Sequence, residues 1–124
     1  MNKAILIAAF AFMPVAALAD AHSEIVTAEQ HADYGAGSAD IAGIHMHLHH
    51  TVNCLVGPSG NGFDAKELNP CAQAGNGAIP DSAADKRPAL EAAAQKAREG
   101  IAAQDLATAK KNATEAHDML HKLL

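Results

Sequence analysis

Hydrophobic residues recur every three or four positions along four stretches of this chain, and no stretch shows the two-residue alternation of a half-buried strand. The first stretch runs from Ser23 to about Tyr34, with Ile25, Ala28 and Ala32 on one face. Ser23 is its expected N-cap and Gly35-Ala36-Gly37 its stop. The second runs from Ala39 to Val56 behind a Ser38 cap, with Ile41, Ile44, Leu48, Val52 and Leu55 as its stripe. Gly57-Pro58 ends it. The third starts around Pro88, a residue suited to a first helical turn, and carries Leu90, Ala94, Ala97 and Ile101 to about Ala102. The fourth runs from Leu106 to Leu123 behind an Asp105 cap, with Leu106, Ala109, Ala113, Ala116, His117 and Leu120 inward. The short Ala103-Gln104 connection makes the last two helices antiparallel neighbours. The pattern predicts an all-α fold, an up-down four-helix bundle with a long loop between the second and third helices.

That loop, Gly57 to about Pro80, is dense in glycine and proline, which argues against a continuous element. Its Gly-Asn-Gly triplets at 60–62 and 75–77 read as tight turns, since neither has the lysine or following helix of a phosphate-binding loop. Asp64 and Glu67 lack the spacing of a calcium loop. Phe63 and Leu68 are expected to plug the end of the bundle. Cys54 and Cys71 are the only two cysteines, and in an oxidising compartment they are expected to pair and pin the loop to the second helix. Closing such a loop is worth roughly 3 kcal/mol in the chain-entropy model. The spacing is not that of a thioredoxin or c-type haem motif.

The N-terminus changes the compartment. Lys3 precedes an unbroken apolar run from Ala4 to Met13, and Ala17-Leu18-Ala19 is a small-x-small cleavage signal. Residues 1–19 read as a secretory signal peptide and 20–124 as a single helical metal-binding domain, periplasmic or secreted, with no membrane association after cleavage. Cleavage after Ala21 fits the same rule and would leave His22 as an N-terminal copper chelator. Beyond the leader, alanine outnumbers leucine, isoleucine, valine and phenylalanine together, so the core is thin and needs a supplement such as a disulfide, a metal or a partner chain.

Charge and composition narrow the function. The formal net charge is -5, there is no tryptophan and there is one tyrosine, so neither counterion release nor base stacking supports nucleic-acid binding. The acidic residues are scattered on expected solvent faces and supply no catalytic acid/base pair.

Histidine is the outlier, with 8 residues in the chain. His45 and His49 are four apart at one edge of the second helix's apolar stripe, a two-nitrogen chelate for zinc or copper. His47 and His50 lie on the far side, near Cys54, so one regular helix cannot bring all four to one ion. Met46 adds a soft thioether within reach of His49 and His50. The fourth helix repeats the arrangement with His117 and His121. The two pairs on facing helices are expected to offer four nitrogens to one ion, or two ligands each to separate ions. His31, opposite the first helix's apolar stripe, is expected to be solvated.

The leader, the paired histidines at 45/49 and 117/121 and the alanine-rich hairpin from Pro88 to Leu124 resemble the small periplasmic histidine-rich metal-binding proteins. Those are helical bundles that bind copper and other divalent ions. The string from Met46 to His50 is similar to the Met-x-x-His-His motif of a second exported copper-binding helical family. The chain departs from both in lacking a regular histidine-bearing repeat and in its disulfide loop. The resemblance implies metal buffering, carriage or delivery, with copper as the ion and zinc or nickel as alternatives. Two other readings stand beside it. One is a redox protein, holding haem between two histidines or copper at His22. The other is a non-catalytic envelope module, with the 57–87 loop as its contact surface and an envelope protein or a second copy as its partner.

Overall fold

In the computed structural model, which describes residues 19–124, every element is a helix. They are α1 Ala21–Gly37, α2 Ile41–Val56, α3 Ala78–Asp81, α4 Arg87–Ala102 and α5 Leu106–His121. The expected signal peptide, apart from Ala19, lies outside the described residues. No helix among the described residues is long and apolar enough to cross a membrane.

The long helices fall where the periodicity places them, except that α1 runs through Gly35-Ala36-Gly37, its expected stop, because Gly35 is buried at the packing with α2 and α5, and two caps differ. Asp20, not Ser23, caps α1, its carboxylate accepting the Ser23 N–H at 3.0 Å. Asp40, not Ser38, caps α2 by accepting from Gly43 N–H at 2.7 Å. A carboxylate is the stronger acceptor and also complements the positive end of the helix dipole. Ser38 instead donates its hydroxyl to Tyr34 O at the end of α1. Asp105 caps α5 as expected.

Helix α1 packs on α2 and α5, and α4 packs on α5 and α2, while α2 and α5 touch only slightly. The predicted stripes form the core between them, except that Leu106, expected inward, is exposed in the first turn of α5, beyond the reach of the facing helices. Ile25, Ile44, Leu48, Leu55, Leu90 and Leu120 are its large side chains, and Ala28, Ala32, Ala93, Ala94, Ala97, Ala109, Ala113 and Ala116 fill the rest. Small side chains on the facing surfaces let the helix axes come close. At Gly100 even a Cβ would collide with the Leu48 side chain.

The loop between α2 and α4 is more ordered than its composition suggests. Its short helix α3 was not expected. Ala78 is fully buried against Ile25, Leu55 and Leu90, and Ile79 packs against the same core. Burial of this pair, together with Pro80 standing where a first turn tolerates it, explains the turn of helix. Phe63 packs on the core as expected, but Leu68 is 62% exposed and plugs nothing. At the loop's base Gly57 has φ 70° and Gly77 φ 117°. A Cβ on Gly57 would fall on the Asn76 carbonyl oxygen, so the two ends of the loop meet backbone to backbone.

The Cys54–Cys71 disulfide closes across the same region, with both residues buried. Buried disulfides of this kind belong to oxidising compartments. Beside it, the Cys71 sulfur lies 3.7 Å from Glu24 O.

Among the described residues Glu24 is the one carboxylate, lysine or arginine buried in the core. Its Oε1 accepts the Gly77 N–H at 2.8 Å, while Oε2 is buried without a partner. Burial, and then the negative charges of Asp81 and Asp20, push its pKa up to about 7, against the opposing hydrogen bond from Gly77. Between about pH 4.5 and 7 the folded chain therefore keeps a proton that the unfolded chain has released. The group's contribution to stability falls as pH rises through that window. Glu24→Gln, the neutral isostere, is expected to match the natural protein near pH 4.5 and to exceed it by roughly 3 kcal/mol at pH 8. Urea denaturation at the two pH values checks this; an equal difference at both would contradict it.

Candidate metal centre

Three histidine rings meet where α1 crosses α2. His31 comes from α1, and His47 and His50 from α2. One feature sets the helices in register. The buried Thr51 hydroxyl lies 3.2 Å from Ala28 O and 3.1 Å from His47 O, tying α2 to α1 one residue from His50.

The ring centroids of His31 lie 5.5 Å from His47 and 5.1 Å from His50, and those of His47 and His50 are 5.8 Å apart. His31 Nδ1 and His47 Nδ1 are 3.3 Å apart. Two ligands of a tetrahedral zinc at about 2.0–2.1 Å would be about 3.3 Å apart as well. His50 Nδ1 is buried with no hydrogen-bond partner, and its Nε2 is 3.8 Å from the Glu67 carboxylate. Tyr34 closes one side, edge-on to His31 and His47.

Electrostatics keep the group ready to ligate. Burial, then the neighbouring His50 and His47, hold the His31 pKa down at about 4. Burial and His47 also lower His50, against the opposing pull of Glu67. These two rings are neutral at pH 7, and a neutral imidazole has a lone pair to give.

The second group joins α1 to α5. Glu29 Oε1 lies 3.0 Å from His117 Nε2 and 3.1 Å from His121 Nδ1. His117 Nδ1 is 3.0 Å from Asp118 Oδ1. The two rings stack with centroids 5.8 Å apart.

The expected residues are thus redistributed. His47 and His50 enter the first group and His117 and His121 the second, but the pairs at 45/49 and 117/121 are not brought together. The reason is packing: α2 rests on α1 and α4 and only brushes α5, so their histidines face different neighbours. His45 Nε2 donates to Ala103 O at 3.0 Å, and His49 Nδ1 is 3.6 Å from Asp64. Met46 is exposed and belongs to neither group. His117 is half-buried beside Glu29 rather than central to the core. His22 lies in the first turn of α1, and His31, expected in solvent, is a member of the first group.

Sequence reasoning missed His31, Glu29 and Thr51. One signal for the first was present. Cys54 is seven residues beyond His47 and four beyond His50, hence on their helix face. A cysteine in a buried disulfide marks that face as covered, so the histidines on it needed a facing partner.

A cavity of about 410 Å³ lies elsewhere, between the loop and α4, with Arg87, Glu91 and Arg98 in its wall and no histidine. No family model, curated protein or solved structure matches the chain.

Proposed function

We propose that this is an exported metal-ion-binding protein that holds copper, with zinc and nickel as alternatives, through His31, His47 and His50. The observation that carries the reading is the convergence of three imidazoles, one of which, His50, has a buried nitrogen without a hydrogen-bond partner. An unmatched polar atom inside a protein costs about 1–3 kcal/mol, and an ion at this place would satisfy it. Glu67, beside the other nitrogen of His50, would orient the ring as outer-shell carboxylates do for metal-bound histidines. Among divalent ions the affinity order for such nitrogen donors peaks at copper. Buffering, carriage or delivery is the role.

Periplasmic location belongs to the same proposal. It is supported by the leader-like residues 1–19 and the buried disulfide. Cleavage after Ala19 suits the fold better than cleavage after Ala21. Asp20 caps α1 and donates its N–H to Ala74 O, and the later cut would remove both. We also infer an up-down run of the four long helices, supported by the three-residue connections 38–40 and 103–105 and by the ring of pairwise contacts.

Titration of the purified protein with Cu(I), Cu(II) and Zn(II), followed by histidine-ring NMR, tests the reading. Micromolar or tighter binding with shifts at His31, His47 and His50 is expected. Binding no tighter than submillimolar, or shifts confined to other histidines, would reject it.

A further inference from the structure

The group on the other flank of α1 has different chemistry. We propose that Glu29, His117 and His121 form a second, independent metal site, built for a divalent ion of the zinc type. Glu29 and His31 are two residues apart, hence about 200° apart around α1. The helix therefore presents one ligand to α5 and another to α2, with the buried alanines 28 and 32 between.

Two of the three donor-to-donor distances are already close to what an ion would need, and all three donors lie within 4.8 Å of one another. Both imidazole nitrogens point at one oxygen of Glu29, at 3.0 and 3.1 Å. The edge of a tetrahedral zinc shell is about 3.3 Å, so the two N···O edges need only a few tenths of an ångström for two hydrogen bonds to give way to three metal bonds once the two rings close on the ion. A second observation points the same way. His117 has Asp118 on Nδ1 at 3.0 Å, so when an ion displaces the proton that Nε2 shares with Glu29, Nδ1 keeps its N–H on Asp118 and Nε2 is left with a lone pair for the ion. Carboxylate, histidine and metal in line is the usual outer-shell arrangement of zinc sites.

The donor set also selects. Two imidazoles and a carboxylate form a harder site than three imidazoles, which favours Zn(II) over Cu(I). Glu29 is 18% and His121 70% exposed, so the ion would keep at least one position open to water and exchange readily. Metal here would clip α1 to α5.

Zinc and Co(II) titrations test this in three proteins. The natural chain is expected to take up two zinc ions. A His31→Ala/His50→Ala variant is expected to keep one and to give the intense visible absorption of tetrahedral Co(II). Adding His121→Asn, at an exposed position where folding is not at stake, should weaken that remaining zinc at least tenfold and abolish the Co(II) band. Glu29→Gln should do the same, and Asp118→Asn should weaken it by about tenfold. If zinc affinity survives His121→Asn and Glu29→Gln, the three residues are only an ion-paired tie between helices, and the proposal falls. If instead one zinc binds and only the His121 and Glu29 variants lose it, this site stands and zinc is struck from the ions of the three-histidine group, whose copper reading is decided by the copper titration.

Discussion

Replacing His31 and His50 together by alanine is expected to weaken copper binding by about a hundredfold or more, equivalent to about 2.8 kcal/mol. His45→Ala/His49→Ala is expected to leave it within about threefold. The contrast comes from where the rings are. His31 and His50 sit in a three-ring group whose nitrogens lie within 4.8 Å of one another, whereas His45 is engaged by the Ala103 carbonyl and His49 by Asp64. The second variant should still lose stability, by about 1 kcal/mol for the hydrogen bond to Ala103. Affinity and stability therefore respond to different pairs. Competition titrations against a chelator of known affinity measure the first, and urea denaturation without metal measures the second. Equal loss of copper affinity in both variants would return the site to the 45/49 pair.

Helix periodicity made the four long helices and their buried stripes legible, because each apolar face must be covered and alanine-rich stripes have few ways to do so. It also allowed the disulfide, since compartment and cysteine number left a single pairing. What could not be read was the order of helices around the core. Pairing the histidines of α2 with those of α5 assumed that these two helices face each other. They are instead each neighbours of α1 and α4. The same error put His31 in solvent, since a residue off the stripe is covered when a neighbouring helix overhangs it. Half of α2 shows this. From His50 to Val56 every residue is buried, stripe or not, because α1, α4 and the loop close around it. The loop's short helix was hidden for a related reason: only tertiary burial of Ala78 and Ile79 makes a turn of helix stable among glycines and prolines.

Asn53→Leu is expected to be the most disruptive single polar substitution, at roughly 3–4 kcal/mol, because it strands several backbone groups at once. Asn53 is 1% exposed in the last turn of α2. Its Nδ2 donates to Asp64 O at 2.9 Å and Leu68 O at 3.1 Å, with Glu67 O at 3.4 Å, and its Oδ1 accepts the Asp64 N–H at 2.9 Å. One amide thus stands in for the regular structure that residues 64–68 lack. Leucine has similar bulk and satisfies none of these groups. Asn53→Asp keeps the acceptor for Asp64 N–H but turns an oxygen toward three carbonyls, so it should destabilise comparably. The adjacent Cys54–Cys71 bond still tethers the loop, which separates local from global effects. Circular dichroism should show the helices intact, while hydrogen exchange accelerates across 64–68. Because this segment carries Glu67 against His50, copper affinity should also fall, by about tenfold as for lost outer-shell partners. A loop that loosens with copper affinity unchanged would show that Glu67 plays no part in holding the ring.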